Sequence, residues 1–136
     1  MIASRSPVRT ILVVDDETGI QRLFQHILES EGYTVLLASD GDQAARILKS
    51  RSDVDLVITD LVMPNCEGIE TIRLLRGVYP NVKIVAISGA FAGQYLKLAK
   101  ILGADRILAK PIEPEALVLV VKELSEDGNK SLPASR

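Results

Sequence analysis

The stretch Val54-Asp55-Leu56-Val57-Ile58-Thr59-Asp60-Leu61-Val62-Met63-Pro64 decides how the chain is read. Leu56, Val57 and Ile58 form a short apolar run of β-favouring residues bounded by turn material, the pattern of a buried strand. Asp60 falls where that run stops, at the strand's carboxyl end. Pro64 cannot continue a ladder and biases Met63 toward an extended conformation, so a loop begins there. Open α/β sheets bind ligands outside such strand ends, so a carboxylate here is placed for chemistry.

Working outward, the same grammar repeats. Thr10-Ile11-Leu12-Val13-Val14 is a continuous apolar run, as expected of a strand covered on both faces, and it ends in Asp15-Asp16-Glu17. A helical stripe of Ile20, Leu23, Phe24, Ile27 and Leu28 follows, with Gly32 as its stop. Tyr33 to Ala38 is the second strand. Ser39, with Asp42 three residues on, is expected to cap a helix whose inner stripe is Ala44, Ile47 and Leu48. After the loop Met63 to Gly68, a third helix turns Ile69, Ile72 and Leu75 inward and is closed by Gly77 and Pro80. Val82 to Ile87 is the fourth strand and leads into Ser88-Gly89. A helix over about 91–102 is ended by Gly103. Ile107 to Ala109 is a short fifth strand ending at Lys110-Pro111. A last helix begins near Glu113-Pro114, where proline's missing N–H costs nothing, with Leu117, Val120, Val121 and Leu124 on its apolar side.

Five strands alternating with five helices imply an α/β fold, a doubly wound parallel sheet with helices on both faces. A five-stranded chain of this size suits the order 2-1-3-4-5, a flavodoxin-like (βα)5 arrangement. In that order Asp15 and Asp16 face Asp60 across the switch point, and Ser88 and Lys110 reach the same edge. The expected organisation is an arm over 1–8, one domain over 9–124 and a flexible, polar tail over 125–136.

Bulk properties narrow the function. The 136 residues carry 16 Lys+Arg against 18 Asp+Glu, a net charge of -2, so no basic surplus points to nucleic acid. No run approaches the roughly 20 apolar residues of a membrane span. The start Met1 to Pro7 has no apolar core of a secretory signal. The single cysteine, Cys66, cannot form an internal disulfide, which fits a reducing cytoplasm.

The carboxylates carry the chemistry. At about 4 Å and an effective dielectric near 20, each like-charged pair costs roughly 4 kcal/mol, so protons or a cation must relieve the cluster. Oxygen ligands without histidine or further cysteine suit a hard divalent ion, and Mg²⁺ takes one or two carboxylates plus a phosphate oxygen. Mg²⁺ is therefore expected at Asp16 and Asp60, with Asp15 helping and the carbonyl of Val62 as a further ligand. Asp60 is an ionised nucleophile that needs no general base and can attack phosphorus in line, giving an acyl phosphate. Lys110 and the Ser88 hydroxyl would hold the transferring oxygens, and Gly89 would keep the approach open. Taken singly, each feature is ordinary. Asp15-Asp16 could cap a helix, Ser88 could be any strand-end hydroxyl, and Lys110 a surface lysine. His26 and Cys66 are given no role.

Together, in this order and each at a strand end, these features resemble the response-regulator receiver domain (CheY-like) of two-component signalling. The carriers are Asp15-Asp16, Asp60 within Asp60 to Pro64, Gly68, Ser88-Gly89 and Lys110-Pro111, and the likeness covers roughly residues 8 to 124. It implies phosphotransfer to Asp60 from a histidine kinase or histidine phosphotransfer protein, Mg²⁺ at Asp15, Asp16 and Asp60, movement of Ser88 toward the phosphate, and a bond from Lys110. It also implies a cytoplasmic switch, monomeric or weakly dimeric, that is not an enzyme on external substrate. One departure stands out: where receivers carry Tyr or Phe in the fifth strand, this chain has Ile107. Output is then expected to run through the loop after Ser88 and the fourth helix–fifth strand–fifth helix face, where Tyr95, Ile107 and Leu119 could form a partner patch. The pattern ends soon before the chain does, so the sequence fits either a lone receiver or part of a longer regulator. A dehalogenase-type phosphohydrolase would need an acid at Val62. A flavin carrier would need a Ser/Thr-rich phosphate loop where Asp15-Asp16-Glu17 stands.

Overall fold

The computed structural model describes residues 7–61, 67–89, 97–100 and 102–130. Strands β1 (Thr10–Val14), β2 (Thr34–Ala38), β3 (Leu56–Asp60), β4 (Lys83–Ser88) and β5 (Arg106–Ala109) form one sheet in the order β2-β1-β3-β4-β5. Every neighbouring pair is parallel. Helices α1 (Thr18–Glu29), α2 (Gly41–Ser50), α3 (Glu67–Val78) and α4 (Pro114–Lys130) connect or follow the strands. Residues 97–100 and 102 are also helical, before β5.

Period-2 alternation sorts the strand residues onto two cores. Leu12, Val14, Val57, Ile84 and Ala86 pack with α2 and α3 through Ala44, Leu48, Ile72 and Leu75. Ile11, Val13, Leu56, Ile58, Val85 and Ile87 pack with α1 and α4 through Phe24, Leu28, Leu117, Val121 and Leu124. The three central strands are thus covered on both faces, which is why they read as unbroken apolar runs.

Several local expectations are corrected. Leu23 is 47% exposed, whereas Gln21 is buried. At about 100° per residue the inner arc of α1 centres on Phe24; Leu23 lies at its edge and Gln21 well within it. The cap of α2 is Asp40, not Ser39: its carboxylate accepts the Gln43 N–H at 2.8 Å, and Gln43 Oε1 accepts the Ser39 N–H at 2.8 Å. An ionised carboxylate is the stronger acceptor, so the box forms one residue later than expected. α3 runs through Gly77 to Val78, because one glycine in a last turn costs only about 1 kcal/mol. Val8, assigned to the arm, is buried in the core, and its N–H donates to Ser125 Oγ at 2.9 Å. That bond fastens the chain start to α4, which continues to Lys130 rather than giving way to a tail at 125. Gly103 terminates the preceding helical segment as expected, with φ of +118°.

The lead into β5 has its own clamp. Arg76 donates to Gly103 O at 2.8 Å and to Asp105 Oδ2 at 2.7 Å, and the same carboxylate oxygen accepts the Ile84 N–H at 2.8 Å. This ties α3, β4 and the start of β5 together at the end of the sheet opposite the acids.

Candidate functional site

Register brings the polar strand ends together. Val14 pairs with Thr59, so the next residues, Asp15 and Asp60, lie side by side. Asp60 pairs with Ile87 and Ser88 with Ala109, which puts Ser88 and then Lys110 at the same rim. The Lys110 N–H donates to Ser88 O at 2.9 Å and anchors the turn after β5.

The side chains converge as the strand ends require. One carboxylate oxygen from each of Asp15, Asp16 and Asp60 lies within 4.8 Å of the others. Lys110 Nζ donates to Asp60 Oδ2 at 2.9 Å and stands 3.5 Å from Asp15 Oδ2. Asp15 and Asp60 are buried, and Asp16 is exposed at the mouth. Burial pushes the Asp15 carboxyl up to about 6, although the Glu17 N–H bond at 2.8 Å and Lys110 pull it down; Asp60 and Asp16 add to the rise. Burial lowers the Lys110 ammonium, but its bond to Asp60 and the charges of Asp15, Asp60 and Glu17 outweigh that, so it is held above its ordinary value.

Two glycines shape the approach. A Cβ on Gly68, in the first turn of α3, would collide with the carbonyl oxygen of Asp60 and the Cα of Leu61, so only glycine lets α3 start against the β3 end. A Cβ on Gly89 would crowd the Lys110 side chain at 3.2 Å.

The donor set fits a hard divalent cation: three convergent carboxylates, no nitrogen or sulfur ligand among the described residues, and a cluster already offset by a single ammonium. Sequence reasoning named Asp15, Asp16, Asp60 and Lys110, and all four meet in one crevice. Ser88 and Gly89 adjoin it. Val62 and Tyr95 lie outside the described residues. Ile107 and Leu119 are both exposed, at 36% and 56%. Two residues were not assigned to the site, Gln21 and Ser39, the latter read only as a helix cap. Gln21, whose signal was a polar residue on the inner arc of α1, donates to Asp15 O. Ser39 joins it through its hydroxyl.

Residues 11–122 match the family model described as response regulator receiver domain. The alkaline phosphatase synthesis transcriptional regulatory protein PhoP of Bacillus subtilis is 35% identical over 130 residues, 93% of this chain and 52% of PhoP. The CAI-1 autoinducer sensor kinase/phosphatase CqsS of Vibrio cholerae is 34% identical over 113 residues, 81% of this chain and 16% of that protein. The chain therefore spans about half or less of these curated relatives. Among solved structures, a response regulator receiver domain from Clostridium thermocellum superposes with a TM-score of 0.83 at 29% identity, covering 93% of this chain and all of that one.

Proposed function

Because this chain belongs to the response regulator receiver family, we propose that it is a phosphorylation-controlled binding switch whose acceptor is Asp60. The donor is a histidine kinase or a histidine phosphotransfer protein. An Asp60 oxygen attacks phosphorus in line as the phosphorus–nitrogen bond of the donor phosphohistidine breaks, leaving an acyl phosphate here and a neutral imidazole there. The observation that carries this reading is the buried Asp60 carboxylate, 2.9 Å from Lys110 and grouped with Asp15 and Asp16.

Asp15, Asp16 and Asp60, with the carbonyl of Val62, would hold Mg²⁺. When bound, that ion supplies charge neutralisation for an oxygen of the transferring phosphoryl group. Lys110 already lies on the acceptor side chain and can carry its contact over to a phosphoryl oxygen. Ser88, at the end of β4, supplies a hydroxyl, and Gly89 leaves room for the Lys110 stem. Val62 stands where a dehalogenase-type hydrolase needs its acid, which supports an acceptor rather than an enzyme on external substrate.

The donor face follows from the surface beside Lys110. Ile20, Leu23, Phe24, Pro111 and Ile112 line a hollow of about 410 Å³ that Lys110 also borders. An apolar rim next to a charged acceptor suits a helical donor that buries its flank while presenting a histidine. Output runs through the Ser88 loop and the face of the helix before β5, β5 and α4, where Leu98 in that helical segment, Ile107 in β5 and Leu119 in α4 are exposed. The setting is cytoplasmic, where kinase and regulator meet.

Incubation with a small phosphodonor and Mg²⁺, read by intact mass, tests this. The parent is expected to gain one phosphoryl group, and Asp60→Asn none. A gain that persists in the variant rejects Asp60.

A further inference from the structure

Gln21 is a buried polar side chain on the helix that leaves the site, and it bridges two segments, the ends of β1 and β2. Its Nε2 donates to Asp15 O at 2.6 Å, to Ala38 O at 3.2 Å and to Ser39 Oγ at 3.2 Å. The first of these is shorter than the Lys110–Asp60 bond at 2.9 Å. It grips the carbonyl of the peptide unit that joins Asp15 to Asp16. That unit is planar, so fixing its oxygen fixes the direction in which Asp16 leaves it.

Asp15 is held at two further points as well. Its N–H donates to Ala38 O at 3.1 Å, and its Oδ1 accepts the Glu17 N–H at 2.8 Å. Asp16 is exposed at the mouth, so its aim depends on the backbone that carries it. The grip also extends to the start of α2, since Ser39 is held on its other side by Gln43 Oε1 at 2.8 Å.

We infer that Gln21 is a positioning residue for the Asp15–Asp16 pair: its amide sets the peptide plane from which both carboxylates reach a divalent cation. The inference rests on the receiver reading above. A cation binds through several oxygens at fixed separation, so a loosened Asp16 weakens binding without removing a ligand. Partners that orient metal ligands from behind typically matter by about ten- to a hundred-fold in affinity.

The test is titration of the full chain with Mg²⁺ alone, by calorimetry or by amide chemical shifts of residues 15–17, comparing the parent with Gln21→Met. Methionine keeps the length and removes the donor. A dissociation constant at least about ten-fold weaker is expected. With a small phosphodonor, the Mg²⁺ concentration for half-maximal phosphorylation should rise in proportion, while the rate at saturating Mg²⁺ stays within about three-fold. Gln25→Met, one turn along the same helix, half-buried and bonded to Glu29 instead of to the crevice, should match the parent. If Gln21→Met does not fold, Gln21→Asn keeps the amide but shortens its reach, and the same weakening is expected. A Mg²⁺ affinity within two-fold of the parent in the folded variant overturns the inference and leaves Gln21 a structural clamp. Failure of the parent itself to bind Mg²⁺ or gain phosphate would instead reject the receiver reading.

Discussion

Replacing Asp15 by asparagine should make the metal-free protein more stable at neutral pH. The Asp15 carboxyl is raised from 3.8 to about 6, chiefly by burial. A carboxylate with a raised value favours the fold when protonated. That contribution is complete below about pH 4, declines as pH rises toward 6 and is gone above about 7. At about 1.4 kcal/mol per pH unit, the span from 3.8 to about 6 corresponds to about 3 kcal/mol of strain carried by the ionised form. Asp15 borders a crevice whose mouth holds the exposed Asp16, and water there screens part of this, leaving about 1–2 kcal/mol. Asparagine is neutral at every pH and can still accept the Glu17 N–H through its amide oxygen.

Urea unfolding from pH 4.5 to 8 without divalent cation measures this directly. Asp15→Asn should exceed the parent by about 1–2 kcal/mol at pH 7.5 and converge on it near pH 4.5. Addition of millimolar Mg²⁺ should then reverse the order at pH 7.5, because only the parent keeps its full ligand set and gains binding energy. A stability difference that does not change across that pH range would refute the reasoning, as would a parent that ignores Mg²⁺.

Three further substitutions probe the frame around the acids. Gly68→Ala drives a methyl group into the backbone of Asp60 and Leu61, so a loss of about 1–3 kcal/mol in urea unfolding is expected, together with slower gain of phosphate from a small donor. Arg76→Met removes the donor that holds Asp105 and Gly103; a loss of about 2–3 kcal/mol is expected, with phosphate gain by the folded fraction unchanged, since the clamp sits at the far end of the sheet. Leu23→Glu places a charge on the apolar hollow beside Lys110; transfer from a protein phosphodonor should fall at least ten-fold, while gain from a small phosphodonor stays at the parent rate.

The sheet was readable because its central strands are covered on both faces. A run such as Leu56-Val57-Ile58 admits few alternatives once turn residues bound it, and β1, β3 and β4 all have that form. The site was readable because a parallel sheet delivers every strand's carboxyl end to one rim, so polar residues at those ends must meet. What escaped was governed by angles finer than the residue pattern. Leu23 and Gln21 exchange places because α1's inner arc is set by how the helix rolls against β1, β2 and α4 together. Asp40 displaced Ser39 because a carboxylate is the stronger acceptor and the Ser39 hydroxyl is taken by Gln21. Gly68 could be named from resemblance alone; its reason, contact with the Asp60 backbone, exists only once α3 is docked.

The same crevice holds an electrostatically unfavourable arrangement. Three carboxylates within 4.8 Å oppose one another by about 3 kcal/mol per pair at an effective dielectric near 20, and Lys110 offsets the two buried ones. A protein selected for stability alone would have replaced one acid. The cluster is intelligible if the unfavourable charge is held ready for a cation and a phosphoryl group that arrive later. On that view Lys110 has two positions in prospect. It lies on Asp60 while the acids are alone, and it would shift its bond to the phosphoryl oxygens once Asp60 is phosphorylated and the carboxylate charge it balanced has moved outward. Because Lys110 N–H is tied to Ser88 O at 2.9 Å, any shift of the lysine backbone acts on the end of β4 directly. On that view the coupling would not require an aromatic side chain at Ile107, and it would link the Ser88 end of β4 to the acceptor.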